Sequence, residues 1–363
     1  IVFQYSLSLV VIIFLFVFYQ QFSFMAKADP GFKTKGVAVI PLNGMNADIM
    51  EQQLRSVSGV QSVSASSAAF AKHFSGMNMP VWVKDKKEAL GLNYYYAEPG
   101  FINDMDFAIS AGNNFPDGNP GEKEEYLLLN EKAATAFGFP DAKNAVGEKL
   151  WINDSVQLQV AGVLKDFNYE SAGKPVDPLA FRSKKGEYNY LYAETNGDKQ
   201  QLQSRIENVL NAIYPSRPVK VSWLADDLEK RNSQTATISL LGFLGFIALA
   251  IASLGLLGLV VYTVEVRSKE IGVRKIIGAN PLQLVNILSK RFIILLLVAG
   301  LIAMPVGWFL SVMFLRNFSI RVDFGIGNVL MCFLFLLGIG LFTIISQTYK
   351  AAIANPVKSL RTE

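Results

Sequence analysis

One cysteine, Cys332, and one histidine, His73, stand in a chain of 363 residues. A single cysteine excludes a disulfide within the chain and a thiolate metal cluster. It lies in an apolar run, where a lone cysteine acts as a small core residue. His73 lies in a serine-rich segment with no cysteine or second histidine beside it, which leaves no zinc site and no histidine-based triad. No G-x-x-x-x-G-K-S/T stretch occurs, so a phosphate loop of that kind is lacking. Gly121-Glu122-Lys123 and Gly173-Lys174 are isolated and read as turns. The acid pairs Asp104/Asp106 and Glu124/Glu125 fall on expected loops and read as solvated charge. Charge is also missing from the centres of four long apolar runs, where a proton- or ion-coupled transporter ordinarily carries an ionisable group. Any energy for transport must then come from elsewhere.

What is present is apolar. Hydrophobic residues make up 51% of the chain and the mean hydropathy is +0.29, the profile of a membrane protein with a sizeable extramembrane part. The net charge of +4 is unevenly spread: residues 26–232 carry 23 basic and 26 acidic side chains, the remainder 11 and 4. The basic excess thus lies beside the apolar runs, which points to membrane orientation and away from nucleic acid.

Residues 1–25 form a first span, without the basic leader or small-residue cleavage site of a signal peptide. Residues 233–264, 292–315 and 328–348 supply three more. The second is entered from Asp226–Ser233 (DDLEKRNS), which predicts a helical stalk running unbroken into the membrane. Its small residues Gly242, Gly245, Ala248, Ala252, Gly255 and Gly258 allow close helix approach. Pro305 predicts a kink in the third. Residues 265–291 form a loop, 316–327 a short turn and 349–363 a tail. The loop carries Arg267, Lys269, Arg274, Lys275, Lys290 and Arg291, the turn only Arg316 and Arg321, so the loop and both ends are expected in the cytoplasm.

Residues 26–232 are enough for a core of their own. Strands are expected at 36–42, 60–65, 92–97, 126–129, 188–193 and 219–223, with helices at 46–57, 131–137 and 199–213. Residues 149–152 and 156–164 predict a hairpin turning at Asn153-Asp154. The early and late β-α-β pieces suggest a split α+β layer holding an insertion at about 98–180.

The most ordered pattern is EVRSKEIGVRKIIGANPLQLVNILSKR, Glu265 to Arg291. Glu265/Lys269 and Glu270/Arg274 are i,i+4 pairs with the acid first, the favourable order on a helix. Ile271, Ile276 and Ile277 give that helix an apolar side. Gly278 suits a left-handed cap, and Asn280-Pro281 an N-cap followed by proline at the first helical position. A helix, a sharp break and a second helix re-entering the membrane are therefore expected. A loop built this way can carry force between a partner and the spans; the plainer alternative is a basic loop that only fixes topology.

EVRSKEIGVRKIIGAN resembles the signature loop of the MacB/FtsX family of ABC transporter permeases. Glu265, Arg267, Glu270, Ile271, Gly272, Arg274, Lys275, Gly278 and Ala279 fit its pattern position by position. LLLNEKAATAFGF (127–139), AVGEKL (145–150) and GVLKDFNYES (162–171) are also similar to the family, as is NPVKSLR (355–361) to its C-terminal ending. In GNNF (112–115), Asn113 departs from the arginine relatives usually carry.

The resemblance implies an α+β membrane protein: four transmembrane helices, with a large α+β periplasmic domain inserted between the first and second. It implies a bacterial inner-membrane location, no cofactor in this chain, and a cytoplasmic ABC ATPase that binds ATP and Mg and docks on residues 265–291. Further implied partners are a second permease half or a homodimer mate, a periplasmic adaptor or outer-membrane component, and membrane lipid. Many such permeases hold two halves in tandem; this chain, which starts at Ile1 inside an apolar run, resembles the second. The implied function is transmission of ATP-driven change to the periplasmic domain for export. The alternative is an FtsX-like signalling or scaffold protein that regulates a periplasmic partner without transport.

Overall fold

The computed structural model describes residues 2–70, 76–83, 89–116, 124–152, 156–170 and 173–353, with Ser268, Lys269, Lys275, Pro281, Leu282, Ala351 and Ala352 described by backbone alone. His73, Gly121-Glu122-Lys123, the Asn153-Asp154 turn and the segment 355–361 lie outside the described residues. In order, the elements are α1 (Val2–Lys27), β1 (Val37–Pro41), α2 (Ala47–Arg55), β2 (Val60–Ser66), β3 (Met77–Val83), β4 (Leu90–Tyr96), α3 (Pro99–Asp104), β5 (Ile109–Gly112), β6 (Tyr126–Asn130), α4 (Glu131–Ala136), α5 (Ala142–Ala145), β7 (Lys149–Trp151), β8 (Gln157–Leu164), β9 (Leu179–Arg182), β10 (Tyr190–Thr195), α6 (Lys199–Ile213), β11 (Ser222–Trp223), α7 (Leu224–Ser233), α8 (Thr235–Val266), α9 (Ser268–Ile276), α10 (Pro281–Leu315) and α11 (Ile326–Ile353). They divide into two units, residues 25–233 and residues 1–24 with 234–363.

The first of these holds two sheets. In the four-stranded sheet, ordered β11-β1-β10-β2, period-2 alternation sends neighbouring side chains to opposite faces. Ala38, Ile40, Leu191 and Ala193 face α2 and α6, against Met50, Leu54, Leu202 and Ile206. Val37, Val39 and Tyr192 face the other way. The helices are held by local chemistry: Asn46 caps α2 by accepting from Ile49 N, and Asp198 caps α6 by accepting from Gln201 N. A strand was expected over 219–223, but only Ser222 and Trp223 pair with β1. The amides of Val219 and Val221 donate instead to Asn211 Oδ1 (2.8 Å) and Glu207 Oε1 (3.1 Å) on α6.

The second sheet runs β5-β8-β6-β9-β4-β3-β7, and β7 also pairs with β8. Strands β8, β6, β9, β4, β3 and β7 thereby close into a ring. Leu92, Tyr94, Leu127, Leu129, Leu158 and Val160 pack together on one face of it, with Ala133 and Phe137 of the α4 region. Tyr95, Leu128, Leu179 and Phe181 point to the opposite face, where they meet Val37, Val39 and Tyr192 in an aromatic cluster with Phe32, Phe70, Phe101, Phe107 and Phe167. Each fully buried ring of this kind contributes about 1.5–3 kcal/mol. The hairpin of β7 and β8 is as expected, with Ile152 N donating to Val156 O. The second sheet, however, begins at Met77, ahead of the 98–180 insertion read from the sequence. The strand expected at 92–97 pairs with β3 and β9, which carries residues 77–96 into the ring. At β8, Gly162 is required because a Cβ there would collide with the Asn113 carbonyl. Asn113 itself is exposed, and its amide donates to Ala161 O at 3.1 Å.

Among the described residues, four helical stretches are long and apolar enough to cross a membrane: α1, α7 with α8, α10 and α11; apart from α7 and the end of α1 they make up the other unit. Two polar side chains near the start of α1 bind its neighbours. Gln4 donates to Ile251 O of α8 (2.8 Å) and Ser6 to Ala299 O of α10 (3.1 Å). Small residues set the close approaches: a Cβ on Gly245 would strike Leu15, one on Gly300 would strike the Phe333 ring, and one on Gly307 would lie 2.7 Å from Ile13 Cδ1. Phe14, Phe18 and Phe22 interleave with Phe314 and Phe318 of the α10 end. Pro305 lies inside α10, which continues past it to Leu315.

The expected unbroken stalk is interrupted. Helix α7 ends at Ser233, Gln234 takes a left-handed backbone (φ 48°, ψ 36°), and α8 starts at Thr235. Asn232 and Ser233 are weak helix formers. Gln234 starts a new helix by accepting from Ile238 N at 3.0 Å, and its side chain accepts from Thr237 Oγ1 at 3.3 Å.

Candidate functional site

The loop after α8 is built by backbone chemistry that its sequence spells out. Arg267 separates α8 from α9, its amide donating to Thr263 O. Helix α9 closes at Gly278, which adopts φ +96°, and Ala279 N reaches back to Arg274 O (3.0 Å). Only a residue without Cβ takes that conformation without strain. Asn280 then caps α10: Gln283 and Leu284 amides donate to Asn280 O, while Asn280 N donates to Gln283 Oε1 (3.2 Å).

Among the residues picked out in the sequence, Glu270 and Arg274 form an ion pair (2.6 Å), both about half exposed. Exposure at that level makes the pair a helix brace worth a few tenths of a kcal/mol, not an anchor. Glu265 is exposed at the end of α8, Arg267 and Ala279 are half-buried, and Gly272 is buried. The side chains of Lys269 and Lys275 lie outside the description. Ile271 is buried and packs with Leu284 and Leu288 of α10, which ties α9 to the start of the third span. Ile276 and Ile277 do not share that face. They are 65% and 79% exposed, so two large apolar side chains stand at the outer corner of the loop beside Val273, 49% exposed. The even apolar side read from the sequence is thus split: one isoleucine holds the loop, two are presented.

Two further charged groups escaped the sequence. Glu124, read as solvated charge, is nearly buried and pairs with Arg182, whose guanidinium also lies 4.6 Å from the Tyr94 ring and 5.2 Å from the Tyr96 ring. Arg231, in the supposed stalk, is half-buried, and burial lowers its pKa from the ordinary guanidinium value. No local signal marks either, because each partner is distant in the chain.

Four membrane helices, an α+β domain between the first and second, and a doubly capped helical loop after the second define a multi-pass membrane protein. Within that class, residues 242–356 match the model of the FtsX-like permease C-terminal family, so over that stretch the chain is similar to permeases of that kind. The chain is 23% identical over 279 residues to the pyoverdine export ATP-binding/permease protein PvdT of Pseudomonas fluorescens, covering 73% of this chain and 42% of that protein. It is 21% identical over 271 residues to the macrolide export ATP-binding/permease protein MacB of Nitrosomonas europaea, covering 70% and 40%. It therefore spans about two fifths of the length of these relatives. Among solved structures, the periplasmic region of MacB from Actinobacillus actinomycetemcomitans aligns with a TM-score of 0.41 at 12% identity, over 55% of this chain and 93% of that one. The extracellular domain of the transporter YknZ from Gram-positive bacteria aligns at 0.37 and 15%, over 55% and 93%.

Proposed function

We propose that this chain is the transmembrane component of an ATP-driven export system, with α9 and its corner receiving a separate cytoplasmic ATPase. The ATPase supplies ATP binding and hydrolysis with Mg. The chain supplies a lever whose other end reaches an α+β domain on the periplasmic side of the inner membrane. The observation that carries this reading is the length of α8. It is a single helix of 32 residues that joins the capped loop at one end and, through Gln234 alone, α7 of the α+β domain at the other. A rigid element of this kind can pass a shift of one end to the other. The lever is two helices with a one-residue joint rather than one rod. The exposed corner of Val273, Ile276 and Ile277 suits an apolar groove on the ATPase, with Glu265, Glu270 and Arg274 as its charged rim.

The test is co-purification of the full-length protein with the ATPase encoded beside it, followed by measured ATP turnover. One variant exchanges the pair (Glu270→Lys with Arg274→Glu), which keeps an i,i+4 ion pair while inverting the rim. The other is Ile277→Asp. Loss of complex or of coupled turnover in both, with unchanged thermal unfolding, supports the coupling role. Complex and turnover at the parent level in both would sink it and leave a signalling or scaffold protein as the better reading.

A further inference from the structure

The α+β domain holds a cavity of about 540 Å³ lined by charged side chains of both signs. Its wall comes from two short stretches, 26–35 and 225–232, with Asn168 between them. These are the stretches that continue directly into membrane helices: Lys27 ends α1, and α8 begins three residues after Asn232. By chain connectivity, the residues that line the cavity stand close to the points where the chain runs into its membrane helices.

Arg231 is the key group. Its guanidinium donates to the Phe70 carbonyl, and its Nε lies 3.4 Å from Asn232 Oδ1. No carboxylate among the described residues lies within ion-pair distance of it. A half-buried guanidinium with no carboxylate in contact is under-compensated: burial lowers its pKa, and Tyr95 and Glu170 oppose that only from a distance. Lys27 and Lys35 stand exposed on the same wall, with no ion pair to a carboxylate among the described residues. Two acids line the cavity as well: Asp29, which accepts from Gly31 N (2.9 Å), and Glu229, two residues before Arg231. Residues i and i+2 of a helix do not face one another, so this acid and this base cannot neutralise each other. The site thus offers fixed charges of both signs, and the most buried of them is a cation.

We infer that this cavity binds the zwitterionic headgroup of a membrane phospholipid, its phosphodiester on Arg231 with Lys27 and Lys35, and its amine on Glu229. The volume is in the range of small-molecule sites. A guanidinium pairs with phosphate oxygens in a planar fork that a lone ammonium lacks. A bound lipid would pin the domain base to the outer leaflet, and this holds whether or not the ATP-coupled reading is correct.

Native mass spectrometry of the detergent-purified full chain tests it, with phosphatidylethanolamine, phosphatidylglycerol and inorganic phosphate as probes. The parent protein is expected to retain phosphatidylethanolamine. Arg231→Gln is expected to lower its apparent affinity about tenfold, the loss of one charge-assisted contact. Glu229→Gln is expected to shift preference toward phosphatidylglycerol. Because Arg231 also holds the Phe70 carbonyl, the exposed double variant Lys27→Gln/Lys35→Gln serves as a second probe that leaves that bond alone; it too should weaken retention. Equal retention by the parent and the lysine variant overturns the inference. So does displacement of the lipid by millimolar inorganic phosphate, which would make this a free-anion site.

Discussion

Arg182 and Glu124 meet through two guanidinium nitrogens, Nε and Nη2, on the face of the ring that holds Tyr94 and Tyr96. They are 9% and 12% exposed in their side chains, so the pair is shielded from solvent and both partners rely on each other. Glu124→Ala leaves the guanidinium uncompensated and should cost about 3–5 kcal/mol. Arg182→Met with Glu124→Leu, which removes both charges, should recover most of that loss. Chemical denaturation of the full chain, followed by tyrosine fluorescence, separates the two outcomes.

Gln21 is fully buried near the end of α1 and grips the 316–327 turn with both amide atoms. It donates to Ile320 O (2.8 Å) and accepts from Val322 N (2.9 Å). Gln21→Ala orphans a donor and an acceptor together, a loss of about 1–3 kcal/mol. Hydrogen exchange gives the sharpest readout: the Val322 amide should exchange faster in the variant, while amides in the middle of α11 stay protected.

Glu98 carries a pH signature. Burial raises its carboxyl pKa above the ordinary glutamate value, Glu51 adds to the rise, and the bond accepted from Ala65 N (3.0 Å) opposes it. The folded protein therefore holds this proton to higher pH than the unfolded chain does. Its contribution is fully present below about pH 4 and is lost as pH rises through the raised folded value. Glu98→Gln keeps an acceptor for Ala65 and removes the titration. Thermal melts should show the glutamine variant more stable than the parent near neutral pH and equal to it in acid; the reverse order would refute the assignment.

Two glycines in the membrane helices should respond oppositely to alanine. Gly300 faces the Phe333 ring, which cannot yield without moving α11, so Gly300→Ala should destabilise by about 1–3 kcal/mol. Gly338 has nothing near its missing Cβ, and Gly338→Ala should be neutral or gain up to about 1 kcal/mol from helix propensity. Melting temperatures in one detergent decide the comparison.

What the sequence disclosed was local. Alternation in 37–41 and 190–195 gave strands, and Gly278 with Asn280-Pro281 gave both caps of the loop, because each signal acts within a few residues. Closure of the ring was illegible. Its strand β3 carries Pro80 and β9 has only four residues, and the pairings that close the ring join positions far apart in the chain. The same limit hid Glu124, whose partner lies 58 residues away. Ile271 and Ile276 look alike in the sequence; only packing against Leu284 and Leu288 distinguishes them. At Gln234 a run of weak helix formers could have bent, broken or continued, and its left-handed backbone is a choice no propensity dictates.

The ring of strands also governs company. Strand β3 is paired with β4 along Met77–Val81 and with β7 at Trp82 and Val83, so the short β7 ties down one end of a strand that would otherwise be a free edge. Along β2, an outer strand of the smaller sheet, Glu98 takes the Ala65 amide and Arg55 the Val63 carbonyl (2.7 Å). Where edge groups are spoken for in this way, neighbours are recognised by the side chains on display, which lets that part of the scaffold change its clientele by surface substitution.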